Sequence, residues 1–213
     1  MKVNVLKLRT GDVMGVTAPL HPWGIFVRAL THGKSSHVAQ VFLQPSVGLT
    51  LAEMSSTERE RRYFDPETNR LMTPNAWHLL PTTEAMERCT ELDIRTGLRL
   101  AGISKYQPTR NPFRSRTVWV RRHRLYDDPA KQASLCTRMM RMFVSSIKYD
   151  YGELFTFLGM GAGDSNEDIC SELPLRNMIA DGGHPPASLL DKCSPASYEK
   201  WADWVDVSNE VKG

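Results

Sequence analysis

Val38-Ala39-Gln40-Val41-Phe42-Leu43 is a run of β type, mostly apolar on both faces, and Leu49-Thr50-Leu51-Ala52-Glu53-Met54 is a second. A turn at Pro45-Ser46 and Gly48 separates them, so the spacing predicts an antiparallel hairpin. Strands apolar on both faces belong to a sheet covered on both sides. Glu53 breaks the pattern, because a carboxylate inside an apolar strand is costly unless a partner meets it. His37 heads the first run, directly after Ser35-Ser36. In a hairpin, Glu53 comes beside His37 and can accept one of its ring N–H groups.

Outward from this hairpin, Asp12 to Val16 follows Gly11 and has extended character, and His21-Pro22-Trp23-Gly24 opens a short amphipathic helical stretch from Ile25 to Leu30. From Ser55 to Pro112 the pattern weakens. Glu58-Arg59-Glu60-Arg61-Arg62 is charged and several Pro and Thr residues interrupt, which reads as a solvated connection with short elements. Thr117-Val118-Trp119-Val120 recovers β character. Pro129 suits the first turn of a helix that the pattern extends from Ala130 to Ile147. Its stripe of Ala133, Leu135, Met139, Met140, Phe143, Val144 and Ile147 faces a core. Leu154 to Met160 is apolar and ends in a glycine-rich loop, Gly159 to Gly163. That loop lacks dinucleotide-fingerprint spacing and a P-loop lysine, and reads as a flexible connection. Ser165-Asn166-Glu167-Asp168 carries two candidate caps for a helix over Ile169 to Ile179, closed by Gly182-Gly183, and Asp168 is the one that places Cys170 in the first turn. The tail from Ser197 to Val207 carries Trp201 and Trp204 and reads as a last element packed on the core.

The 213 residues are 41% hydrophobic and 24% charged, which excludes disorder, collagen and coiled coil as the main architecture. No apolar run reaches the ~18–20 residues of a membrane span. The N-terminus lacks the apolar core of a secretory signal, so a cytoplasmic location is expected, with export by another route left open. Cys89, Cys136, Cys170 and Cys193 are too few and scattered for a disulfide scaffold, and none lies in a C-x-x-C pair. His32 and His37 lack a third ligand at useful spacing, so neither a metal nor a cofactor is expected. The net charge of +3 hides six arginines between Arg110 and Arg124 with no acid among them. Arg114, Arg116, Arg121, Arg122 and Arg124 read as solvated flanks of a strand or as a face for an anionic polymer. No nucleic-acid motif frames them.

Cys170 is the one thiol with a chemical setting. A place in the first turn after an Asp168 cap puts it among unsatisfied N–H groups that stabilise a thiolate and, later, an oxyanion. A thiol nucleophile needs a base, and the base an orienting acceptor. His37 on a strand with Glu53 beside it supplies both. His184, in Gly183-His184-Pro185-Pro186, reads as a loop residue.

At these residues the chain resembles the permuted papain-like hydrolases, the YiiX-type branch of the NlpC-like superfamily. The resemblance rests on Gly11-Asp12-Val13, Ser36-His37-Val38-Ala39, Leu51-Ala52-Glu53, and Tyr149-Asp150 followed by Cys170-Ser171-Glu172-Leu173, in that order. It departs from the family at about 55–115, which is long and poorly matched, and at Pro174. It implies one α+β domain over 1–213, with a circularly permuted, antiparallel papain-like sheet packed against helices. It implies Cys170 as nucleophile, His37 as base, Glu53 as orienter and Tyr149 as a residue near the substrate. It further implies hydrolysis of an amide or isopeptide bond, as in cell-wall peptides. An acyltransferase or thioesterase acting on acyl esters, and a binding module of the same fold without turnover, are the alternatives.

Overall fold

In a computed structural model, residues 1–44, 48–55, 62–65, 70–71, 89–91, 97–108, 110, 114–144, 148–149, 167–168, 170–191 and 193–213 are described. Eleven strands and five α-helices alternate along them. In chain order they are β1 (Val13–Thr17), α1 (Pro22–Thr31), β2 (His37–Gln44), β3 (Gly48–Ser55), β4 (Arg62–Asp65), β5 (Arg70–Leu71) and β6 (Cys89–Glu91). There follow β7 (Gly97–Ala101), β8 (Arg116–His123), α2 (Pro129–Val144), β9 (Lys148–Tyr149), β10 (Glu167–Asp168), α3 (Glu172–Ala180), α4 (Ala187–Asp191), α5 (Pro195–Lys200) and β11 (Trp204–Asp206). Short 3-10 turns occupy Val5–Lys7, Ile103–Tyr106 and Arg124–Asp127.

The protein is α+β, built on a six-stranded sheet of order β11-β8-β1-β2-β3-β7 in which every pairing is antiparallel. The hairpin forms in the register Gln40↔Ala52 to Gln44↔Gly48. Its strands are buried on both faces, as their continuous apolarity requires. On one face Val13, Val38, Phe42, Ala52, Leu100 and Trp119 meet Leu135 and Met139 of α2 and Leu173 and Met178 of α3. On the other, Met14, Val16, Ala39, Val41, Leu51 and Val120 meet Leu8, Ile103, Tyr106, Val207 and Val211.

Gly11 enters β1 with φ +94°, a conformation that side chains rarely adopt, and a Cβ there would stand 2.3 Å from the Tyr126 ring. Gly11→Ala is therefore expected to destabilise the fold by about 2–4 kcal/mol, from left-handed backbone strain and overpacking together. Urea denaturation measures it; a midpoint equal to wild type would contradict the close approach.

Several sequence expectations need correction. The stretch Ser55 to Pro112 is not a solvated connection throughout, because Gly97–Ala101 adds a strand to the main sheet and buries Leu100, while Ile103 and Tyr106 pack beneath it. Alternation of Leu98 and Leu100 around Arg99 carried that signal, and the charged, Pro-rich sequence before it masked it. Asp168 does not cap a helix: it lies in β10, which pairs in parallel with β9, and α3 starts at Glu172 with Ser171 as N-cap. In the tail, Trp204 opens a strand on the edge of the main sheet. Within α2, Leu135 and Met139 are buried as the stripe predicts, but Ala133 faces solvent. The stretch Leu154 to Met160 and the loop Gly159 to Gly163 lie outside the described residues.

A buried polar network joins β2, α2 and α3. Asn177 on α3 donates to Gln40 Oε1 on β2 at 2.8 Å, and Arg138 on α2 binds the Asn177 carbonyl at 3.0 Å and the Asp181 carboxylate. Asn177 Nδ2, Gln40 Oε1 and the Asp181 carboxylate thus each have a partner, as burial demands.

Candidate active site

Strand pleat decides what Glu53 meets. Residues two apart share a face, so Glu53 points the same way as buried Leu51, and His37 the same way as Ala39. Glu53 is one residue beyond the Gln40↔Ala52 pair, which brings His37 to it diagonally across the hairpin. The His37 Nε2 to Glu53 Oε2 distance is 2.8 Å.

Glu53 is fully buried and is met by more than the imidazole. Lys105 Nζ stands 2.9 Å from Oε1, and the Tyr106 hydroxyl donates to Oε2. Both come from the 3-10 turn Ile103–Tyr106, which packs under β3. The sequence pattern does not reveal these two partners, because they lie in the stretch whose periodicity is weakest. Three donors, two of them cationic when His37 is protonated, are what a carboxylate needs to remain ionised in a dry site.

Cys170 approaches from the helical side. Its side chain is buried with Leu173, Leu175 and Met178 of α3, while Tyr106 belongs to the opposite layer. His37, the first residue of β2 and 23% exposed, stands between the two. Cys170 lies two residues ahead of Glu172, but Ser171 already has helical angles (φ −84°, ψ −22°), so the thiol sits at the mouth of α3 rather than within its first turn. Orphan N–H groups of that turn face the same end.

Burial opposes a charge on His37, but Cys170 and the Glu53 carboxylate, each by charge and by hydrogen bond, outweigh it and hold the imidazole up at about 9, against an ordinary 6.5. Since Nε2 is on Glu53, Nδ1 is the nitrogen left for the thiol. Cys170, His37 and Glu53, expected together from sequence, do come together. Such a set can hold a thiolate, move a proton between sulfur and substrate, and keep the base in one orientation.

Other expected residues fall differently. Tyr149 has its backbone in β9, and the role implied for its side chain lies outside the described residues. His184 is exposed in the loop between α3 and α4. Cys136 and Cys193 carry no disulfide, and Cys193 is buried against the Ser171 carbonyl. Arg121 and Arg122 are not a free cationic face. Arg121 donates to the Trp204 carbonyl at 2.8 Å, and Arg122 forks onto Asp12 at 2.7 and 2.9 Å, while Arg114, Arg116 and Arg124 are exposed. Among the described residues no three His, Cys, Asp or Glu side chains cluster as a metal site, and no helix is long and apolar enough to cross a membrane.

No family model and no curated protein matches the sequence.

Proposed function

We propose that this protein is a cysteine hydrolase of the permuted papain-like, NlpC-like kind, cleaving an amide or isopeptide bond. One observation carries the reading: an imidazole held between the Cys170 thiol and the fully buried Glu53 carboxylate. A buried acid with Lys105 and Tyr106 also turned onto it is an expensive feature that a purely structural strand does without. The order of the elements, base strand before thiol helix, also favours the permuted form.

In this mechanism the Cys170 thiolate attacks the substrate carbonyl and its sulfur–carbon bond forms as the carbonyl becomes an oxyanion. N–H groups at the start of α3 stabilise that oxyanion. His37 gives its proton to the leaving amine as the C–N bond breaks, leaving a thioester. The neutral imidazole then takes a proton from water, which attacks the thioester and releases the acid. Glu53 keeps the ring in place throughout and stabilises its charged form.

The acyl-ester reading has one observation of its own. The helix α1 leads into β2 and lays Gly24 against Ser36, yet it and the loop before it leave Leu20, Ile25 and Leu30 exposed. An apolar flank beside the base suits an acyl chain better than a peptide of the cell wall. Exposed arginines Arg114, Arg116 and Arg124 are the residues left for an anionic polymer.

Iodoacetamide at about pH 6 is expected to alkylate Cys170 at least about tenfold faster than Cys136 and Cys193, read by peptide mass spectrometry. Equal rates would sink the nucleophile. Incubation with matched panels of peptide amides and acyl esters, with Cys170→Ala as blank, then reads the substrate class from the mass of the trapped acyl-enzyme.

A further inference from the structure

The helix α5 is six residues long and its sequence carries its own start signals. Ser194 and Ser197 make reciprocal cap hydrogen bonds, and Pro195 occupies the first turn. Two consecutive residues leave it in different directions.

Tyr198, almost fully buried, donates its hydroxyl to the Ser171 carbonyl at 2.5 Å. Ser171 directly follows Cys170 and is itself fully buried, its hydroxyl donating to the Cys193 carbonyl at 2.6 Å. Glu199 turns instead to the loop ahead of His37. Its Oε1 accepts from the Lys34 N–H at 2.8 Å, the Ser35 N–H at 3.1 Å and the Ser35 hydroxyl at 3.0 Å. Trp119 Nε1 on β8 adds a fourth donor at 3.0 Å. The loop lies so close that a Cβ on Gly33 would stand 2.6 Å from the Ala196 Cβ.

We propose that Tyr198 and Glu199 are positioning residues that fix the separation of the Cys170 thiol and the His37 imidazole. This deepens the thiol-hydrolase reading and rests on it. Among the described residues no strand pairing joins the thiol's segment to the strand that carries the base. The Asn177–Gln40 bond ties α3 to β2 well inside both elements, two helical turns from the thiol, and leaves the ends that carry the chemistry to be set by something else. A short, rigid helix with one bond to the residue after the nucleophile and three to the residues before the base does this. A shift of a few tenths of an ångström is enough to weaken a thiolate–imidazolium contact, so the device acts on chemistry before it acts on folding.

The test compares the Cys170 alkylation rate by iodoacetamide at about pH 6 with that at about pH 10, where any accessible thiol is ionised. In Tyr198→Phe and Glu199→Ala the acid-side rate is expected to fall about tenfold or more, with the alkaline rate changed less than about twofold. Glu199→Gln keeps a neutral oxygen in place and is expected to fall only about threefold, a partial rescue. Near-UV circular dichroism identifies which variants are folded, and Glu199→Gln with Ser35→Ala decides the matter where the harsher changes unfold. Folded variants with the wild-type ratio of the two rates would show that α5 merely packs. A wild-type protein without fast acid-side alkylation at Cys170 overturns the hydrolase reading itself, and the positioning role with it.

Discussion

Glu53→Gln is expected to lower the His37 titration midpoint by at least about one unit from about 9, and to slow acylation of Cys170 by p-nitrophenyl acetate about a hundredfold. The substitution keeps volume and removes one charge. Glutamine offers one carbonyl oxygen where the carboxylate offers two, and the site presents donors on both. Lys105 faces Oε1, while His37 and Tyr106 face Oε2. Whichever way the amide turns, its NH2 group meets a donor. The sign of the pH effect follows from the forces on the imidazole. Burial pushes its pKa down, and the charges and hydrogen bonds of Cys170 and Glu53 push it up. With the carboxylate gone the upward forces weaken and the downward one stays, so His37 loses its proton at lower pH. In the proposed mechanism the protonated base that discharges the leaving amine then survives over a narrower range, and the alkaline limb of amide hydrolysis is expected to move down with it. Stability should also fall by about 3–5 kcal/mol, the usual cost of leaving buried donors without their charge partner. NMR of the ring carbons gives the midpoint directly. A midpoint still near 9 would mean that Glu53 contributes nothing to the charge on His37.

Much of this arrangement is legible in the residues alone, and the reason is local. Val38 to Leu43 and Leu49 to Met54 carry their own period and their own turn, and a charged Glu53 in such a strand announces a partner. Cys170 and His37 stand out because each chemistry needs a particular residue type at an element end. The partners of Glu53 beyond His37 are not legible, because Lys105 and Tyr106 occupy a single 3-10 turn with no period of its own. What places them is the docking of that turn under β3, a tertiary event. The same holds for Tyr198 and Glu199. The tail advertises Trp201 and Trp204, which do pack in the core, while the two residues that bond the segments next to the thiol and the base look like ordinary helix surface. Asp168 fails as a cap for a related reason: a good capping residue in sequence is overridden when its backbone pairs with another strand.

Asp12→Ala is expected to cost about 3–5 kcal/mol of stability and to leave the chemistry of Cys170 and His37 unchanged. Asp12 is fully buried at the start of β1, where one oxygen accepts from Arg122 Nε at 2.7 Å and the other from Arg122 Nη2 and the Arg9 N–H, each at 2.9 Å. Burial raises its pKa more than these bonds lower it, so the pair does not hold the fold together by attraction alone. The cost of the single substitution lies in the guanidinium it abandons. Arg122 is only 13% exposed, and of its other acidic neighbours Glu210, at 3.6 Å, is open to water. Replacing both partners by apolar residues, Asp12→Leu with Arg122→Met, removes the stranded charge and is expected to cost less than Asp12→Ala alone. Strand geometry separates this pair from the thiol. Val13 pairs with Gln40 whereas Val16 pairs with His37, so about 10 Å of β1 lies between the two ends. Urea denaturation gives the stability and the His37 midpoint gives the site. If Asp12→Ala shifts that midpoint while the protein stays folded, Asp12 acts on the base and not only on β1 and β8. If the double variant is the less stable one, the ion pair itself contributes net stability. Gly11-Asp12-Val13 has a purely architectural reading when the midpoint does not shift: the glycine makes room for Tyr126, and the aspartate fixes β8 to the start of β1 through Arg122.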